Sequence, residues 1–266
     1  MKLRFLGTGT SCGVPVIGCQ CEVCTSTDPH DHRLRCSALV ETSSTRLLID
    51  CGPDFRQQML PSKFRKIDAI LVTHHHYDHV GGMDDLRPFC IFGDINIYAD
   101  STAAANIRHN MPYCFVENKY PGVPSINLNV VRPHESFQIG DLGIMPFTVM
   151  HGTLPILAFR ITEKTSQTLQ TSHPLHSLTY ITDMKTIATS ELPYATGSDI
   201  LVVNALRFTK PHHSHMLVDE AINFIRRTKI PQTYLIHSCH DIGLHQEVNR
   251  LLPSDIQLAH DGMAVE

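Results

Sequence analysis

Apolar residues in this chain gather into short runs bounded by turn-forming residues. Ile67-Asp68-Ala69-Ile70-Leu71-Val72, apolar except at Asp68, reads as a buried strand. Similar runs predict strands at Lys2 to Leu6, Cys36 to Val40, Arg46 to Ile49, Ile95 to Ala99, Phe137 to Ile139 and Leu142 to Met150. Further strands are expected at Leu157 to Thr162, Leu178 to Asp183, Ile200 to Val203 and Thr233 to Ile236. Helices are expected from Met83 to Phe89, from Ser101 to Met111 and over Val218 to Ile225, where Asp219 and Glu220 complement the helix dipole. Gly7-Thr8-Gly9-Thr10 predicts a tight turn whose glycines let backbone approach the contents of a cleft. Residues 112–135, rich in Pro and Asn and without a period, read as an excursion over one face. Lys164 to Ser177 is polar and aperiodic, which predicts a mobile hairpin loop.

No repeat, low-complexity tract or Pro/Gly/Ser linker interrupts the 266 residues, so one α/β domain over 1–266 is expected. Hydrophobic content of 42% and charged content of 18% suit a globular protein with a sizeable core. The net charge of -4 argues against a nucleic-acid binder that works through a bulk positive field. The apolar part of Met1 to Leu6 is too short for a signal peptide and no segment is long enough to span a membrane, which predicts a cytoplasmic protein with no membrane partner. In that compartment the nine cysteines read as thiols and metal ligands, not disulfides.

The chemistry concentrates where the strand at 67–72 ends. His74, His76, Asp78 and His79 lie on the loop leaving its C-terminal end, where ligand sites of α/β sheets usually sit. Imidazole and carboxylate at this spacing suit zinc, manganese or iron, with two ions sharing one loop. Three more candidates stand at strand exits: His151, His237, and Asp183, a carboxylate that can bridge two cations. Asp50, at the end of the preceding strand, is placed to accept a hydrogen bond from a ligand imidazole and so fix its tautomer. Separately, Cys19-x-Cys21-x2-Cys24 is a knuckle able to wrap a tetrahedral zinc, and it needs a fourth ligand from elsewhere.

His74, His76, Asp78, His79, His151, Asp183 and His237 resemble, in kind and order, the metallo-β-lactamase superfamily, whose His-x-His-x-Asp-His signature stands here at residues 74–79. The resemblance runs from Gly7-Thr8-Gly9 and Asp50 through His237. It implies a four-layer αββα sandwich with two divalent ions, Zn2+ or Mn2+, at one edge. His74, His76 and His151 would hold one ion, Asp78, His79 and His237 the other, with Asp183 bridging. A bridging Asp points toward hydrolases that attack with a metal-bridging hydroxide, and phosphodiesters gain most from two cations beside the phosphoryl group.

The knuckle followed by His237-x2-His240 is similar to the phosphoribosyl 1,2-cyclic phosphate phosphodiesterase family of the carbon–phosphorus lyase pathway. That resemblance implies a structural Zn2+ held by Cys19, Cys21, Cys24 and His240. It also implies His215 as general acid, with Asp78 the other residue assigned to the reaction. A sugar alkoxide is a poor leaving group and needs a proton in the transition state. His212 and His213 compete with His215 for that role, and the chain departs from the family at residues 100–135 and 204–214. The expected enzyme is thus a metal-dependent phosphoric diester hydrolase acting on a small, cyclic phosphodiester, without nucleic acid as a partner; a homodimer is compatible with the sequence. Transfer-RNA 3′-processing nucleases share the Gly-Thr-Gly turn, the seven ligands and a histidine near 215, but they lack the knuckle and carry a basic, Gly-rich arm not found here. Relatives in pyrroloquinoline quinone synthesis share a similar knuckle and suggest a small-molecule carrier, but their histidine loop is degraded and this one is intact. Thiol-ester hydrolysis fits the metals, not the knuckle or His215.

Overall fold

The structure, a computed structural model, describes residues 1–164 and 175–266, so the loop expected between Lys164 and Ser177 lies, apart from its ends, outside the described residues. The first sheet begins with the antiparallel strands β1 (Lys2–Gly7), β2 (Ser37–Glu41) and β3 (Arg46–Ile49). Then β4 (Ala69–Leu71), β5 (Ile95–Ala99) and β6 (Ile126–Val130) add in parallel. The second sheet begins with antiparallel β7 (Phe137–Ile139), β8 (Leu142–His151), β9 (Leu154–Glu163) and β10 (Ser177–Tyr180). It continues in parallel through β11 (Ile200–Asn204), β12 (Gln232–Ile236) and β13 (Ile256–Leu258). A short β14 (Ala264–Val265) returns to pair with β1, which gives two seven-stranded sheets.

Both faces of each sheet are covered. Leu3, Phe5, Leu47, Ile49 and Leu71 pack between the sheets against Ile144, Leu157, Phe159, Leu178, Val202 and Ile236. Alternate residues point the other way: Leu39, Leu48, Ile70 and Ile97 lie beneath α1 (Phe55–Met59) and the helices that follow, α2 (Tyr77–Val80) and α3 (Ser101–Asn110). On the far side, Phe147, Leu201, Val203 and Leu235 meet α4 (Val218–Thr228) and α5 (His245–Leu251). Burial on both faces is why these strands read as continuous apolar runs instead of alternating ones. It also makes them the core's main source of stability, at about 1.5–3 kcal/mol per buried large aliphatic side chain. The result is the four-layer αββα sandwich implied by the metallo-β-lactamase resemblance. Among the described residues no helix is long and apolar enough to cross a membrane.

Three local expectations change. The helix expected from Met83 is a 3-10 helix, Met83–Phe92, because Pro88 removes a backbone donor inside it. The excursion at 112–135 contains β6, an edge strand of which Ile126 alone is buried, so Asn127 and Asn129 leave no apolar period to read. The glycines of the first turn admit the chain's own backbone. A Cβ at Gly7 would sit 2.0 Å from the Arg35 carbonyl oxygen, and one at Gly9 2.8 Å from that of Arg33. The turn then crosses to the second sheet, where Ser238 N donates to the Thr8 carbonyl at 3.1 Å and Thr10 N to the Ser238 carbonyl at 3.2 Å.

Candidate metal centre

The candidate residues meet at one edge of the sandwich. Asp50 follows β3, residues 74–79 follow β4, Asp183 lies beyond β10, His237 follows β12, and His151 ends β8. Asp50, Asp183 and His237 have φ of 59, 54 and 57°, in the left-handed region that non-glycine residues seldom adopt. Such backbone costs on the order of 1–3 kcal/mol per residue and is held only where the surrounding fold dictates it. The histidine loop divides at His76, whose extended backbone (φ -63, ψ 149°) precedes the first residue of α2. The period of two before it sets His74 and His76 on one side, and the helical turn after it swings Asp78 and His79 inward while Tyr77 stays 72% exposed.

Asp183 sits in the middle. Its Oδ2 is 3.2 Å from His74 Nε2 and 3.0 Å from His79 Nε2, and its Oδ1 is 2.8 Å from His237 Nε2. Asp78 Oδ2 lies 3.3 Å from His79 Nε2 and 3.7 Å from His237 Nε2. Two groups of ligand atoms result, each with all members within 4.8 Å of one another: His74, His76 and His151, and Asp78, His79, Asp183 and His237. The superfamily resemblance divides the residues in the same way except that it gives Asp183 to both groups.

The partners behind the ring nitrogens leave the right atoms free. Thr73 Oγ1 donates to Asp50 Oδ2 at 2.8 Å, so its lone pair accepts from His74 Nδ1–H at 3.0 Å. His79 Nδ1–H donates to the same Asp50 oxygen at 2.7 Å, and His151 Nδ1–H to the Ser214 carbonyl at 3.0 Å. Each of these rings therefore presents an unprotonated Nε2 in its neutral form. Asp50 accepts from His79, and Thr73 and Ser214 join it as partners not expected from the sequence. The hydroxyl beside His74 is a hint of Thr73, whereas Ser214 has none because it acts on His151 through its backbone carbonyl.

Electrostatically the cluster asks for cations. Burial opposes the charge on Asp183, but His237 and His79 outweigh it and hold the carboxyl well below the usual range. Burial likewise lowers His79 and His237, yet Asp183 lifts the first well above 6.5 and the second to about 9. His74 is pushed down to about 3 by burial and by His79. Among the described residues, His79 Nε2 and both His237 nitrogens are buried without a hydrogen bond. Buried carboxylates facing imidazole nitrogens that lack hydrogen bonds are a donor set that divalent metals fit.

His215 stands over this cluster, its ring 4.7 Å from His151 and 4.9 Å from His237, with a buried Nδ1 that has no partner among the described residues. Burial, then His237, pushes it down to about 2. His212 is one ring further out, 4.8 Å from His215, and the exposed His213 stacks on His212 at 4.6 Å. The cysteine knuckle forms a separate cluster. His240 Nδ1 lies 3.3, 3.2 and 3.5 Å from the sulfurs of Cys19, Cys21 and Cys24. The Cys24 amide and His240 bring the Cys21 thiol down to about 6, while burial pushes Cys24 up to about 11. A thiolate site with one imidazole fits zinc.

A model of the beta-lactamase superfamily domain matches residues 45–238. Among solved structures, one described as a new diphosphatase from the PhnP family superposes with a TM-score of 0.87 at 37% identity, covering 99% of this chain and 96% of that one. An octanoyltransferase of Porphyromonas gingivalis is 42% identical over 264 residues, 99% of this chain and 51% of that protein. A ribonuclease Z of Methanopyrus kandleri is 29% identical over 172 residues, 60% of this chain and 50% of that protein. The chain thus spans about half the length of these curated relatives.

Proposed function

This chain belongs to the beta-lactamase superfamily and, within it, to the PhnP family, and on that premise we propose that it is a metal-dependent phosphodiesterase acting on a small cyclic diester such as 5-phosphoribosyl 1,2-cyclic phosphate. The observation that carries the reading is His215, a buried imidazole whose Nδ1 has no hydrogen-bond partner among the described residues, set against His151 and His237 at the mouth of the cluster. Two divalent ions, zinc or manganese, would supply a water acid enough to attack near neutral pH and positive charge for the phosphoryl oxygens.

The side chains provide the rest. His74, His76 and His151 would hold one ion and Asp78, His79 and His237 the other, with Asp183 placed to serve both. Asp50, Thr73 and the Ser214 carbonyl keep the ring protons on Nδ1, so the ligand atoms are oriented before substrate arrives. Burial and His237 keep His215 neutral in the free protein. An anionic phosphoryl group beside it reverses that field, so His215 binds a proton and becomes the acid. As water adds to phosphorus and the ester P–O bond breaks, His215 passes this proton to the sugar oxygen, then regains one from solvent. Cys19, Cys21, Cys24 and His240 would hold a structural zinc.

Cleavage of a diphosphate is the second reading, favoured by the 37% identical relative described as a diphosphatase. The two differ in their need for an acid, since a departing phosphate is a far better leaving group than a sugar alkoxide. Metal-loaded protein and its His215→Ala variant would be assayed on 5-phosphoribosyl 1,2-cyclic phosphate, a dinucleoside diphosphate, bis(p-nitrophenyl) phosphate and a precursor transfer RNA. The expected result is rapid opening of the cyclic ester, a loss of about 10²–10⁴-fold on it in the variant, and little loss on the nitrophenyl ester. Equal loss on both esters would remove His215 as the acid. Turnover of the diphosphate alone would select the second reading, and RNA cleavage alone would move the chain to the nuclease branch.

A further inference from the structure

His212 occupies a position that proton donation leaves unused. The Ser214 backbone N–H donates to His212 Nδ1 at 3.3 Å, and the Ser214 hydroxyl lies 3.2 Å from the same nitrogen. A backbone N–H only donates, so Nδ1 keeps its lone pair and the ring proton resides on Nε2. Among the described residues that Nε2–H has no hydrogen-bond partner. The ring is half-buried, one step beyond His215 and two beyond the metal-ligand candidates. The Ser214 that fixes its tautomer also accepts from His151 through its carbonyl, so one short loop sets His151, His215 and His212 in sequence outward from the centre.

Burial, then His213, Arg207, His151 and Lys185, lowers the basicity of His212, which keeps the ring a neutral donor. Arg207 and Lys210 share the single carboxylate of Asp241, and Lys185 is held by Glu220. A sugar whose ester oxygen takes its proton from His215 must lie beside this loop.

We propose that His212 is a specificity-determining residue, donating its Nε2–H to an oxygen of a second phosphate carried on the sugar of the ester, so that the site selects phosphodiesters that also bear a phosphomonoester. This rests on the phosphodiesterase reading above. Ser214 fixes the ring's tautomer before substrate binds, and a donor set in place beforehand contributes more to holding an anion than one that must first be ordered.

The test uses metal-loaded wild type, His212→Asn and His212→Ala. The asparagine retains an acceptor for Ser214, but its amide N–H2 falls short of the Nε2 position, whereas alanine loses both groups. The substrates are 5-phosphoribosyl 1,2-cyclic phosphate and ribose 1,2-cyclic phosphate, which share the scissile bond and differ in the second phosphate. Calorimetric binding of ribose 5-phosphate is measured alongside. His212→Asn is expected to raise KM for the phosphorylated ester roughly 10- to 100-fold with kcat kept, to leave the plain ester unchanged, and to weaken ribose 5-phosphate by a similar factor. Equal losses on both esters, or no change in KM, would overturn the assignment. If wild type opens neither ester, the phosphodiesterase reading fails and calorimetry still decides. Weaker ribose 5-phosphate binding by His212→Asn then supports the second-phosphate contact. Equal binding by the two proteins, or none by wild type, overturns it.

Discussion

The two candidate metal clusters are built in opposite ways. The cysteine cluster takes three sulfurs from residues 19–24 and one imidazole from the 3-10 turn His240–Ile242, so most of it is local in sequence and it sits at the surface. The histidine–aspartate cluster gathers residues from strand ends of both sheets, buries His74, His79, Asp183 and His237, and holds Asp183, His237 and the supporting Asp50 in left-handed backbone. The first needs only a short loop and one distant partner; the second needs the whole sandwich. They meet on one segment, because His237 and His240 are three residues apart and Ser238 between them is hydrogen-bonded to the Gly7–Thr10 turn. Our reading is that the knuckle fixes the segment that presents His237 and takes no part in the chemical step.

The largest separation of the two clusters should come from Asp183→Ala. It removes the carboxylate shared by His74, His79 and His237 and should empty the centre while the cysteine site keeps its zinc. Activity should fall by more than the about 100-fold that loss of an outer hydrogen-bond partner costs, and residual turnover above that would mean Asp183 is no ligand. Asp50→Asn comes next. Without the carboxylate that orients His79 and Thr73, chelator competition should find metal bound about 10- to 100-fold more weakly at the centre, and unchanged affinity would show that other groups orient His79. Cys21→Ser should shed one zinc equivalent and lower Tm by about 2–4 °C for each kcal/mol lost, with kcat within a few-fold of wild type. A collapse of kcat at full occupancy of the centre would give the knuckle a part in chemistry.

The smallest effect concerns the join of α5 to the N-terminal loop, where His245 N donates to Asp31 Oδ1 at 2.7 Å and the His245 ring lies beside those of His30 and His260. Burial, then Arg33 and His260, lowers His245 to about 4. The fold favours the neutral ring, so the unfolded chain takes up the proton first as pH falls. The contribution is therefore complete above about 6.5 and is lost progressively toward about 4. His245→Gln should flatten the fall of Tm over that window; identical slopes would exclude His245 as the group responsible.

Much of the site is legible in the sequence for the same reason that the sandwich is. A strand buried on both faces leaves an apolar run, and the polar residue that ends it is conspicuous, as at Ile49-Asp50, Val72-Thr73-His74 and Ile236-His237. The ligand groups of the centre and the Cys19–Cys24 knuckle could be anticipated on those grounds together with the superfamily resemblance. What could not be read depends on contacts between segments far apart in the chain. The Gly7–Thr10 turn faces the Arg33–Arg35 backbone instead of a cleft, β6 hides as a polar edge strand, and the Ser214 carbonyl aligns His151 across 63 residues. The order of His212, His213 and His215 around the centre is of this kind too, since all three share a short loop and only its fold brings His215 inward.

The most direct test of the two-cluster account is a crystal of the protein loaded with zinc and manganese, with anomalous maps recorded at both absorption edges. Two peaks about 3.5–4 Å apart are expected, one among His74, His76 and His151, the other among Asp78, His79 and His237, with Asp183 reaching both. A third, zinc-only peak is expected among Cys19, Cys21, Cys24 and His240. A single peak or none at the sheet edge in fully loaded crystals would contradict the dinuclear centre and the mechanism built on it.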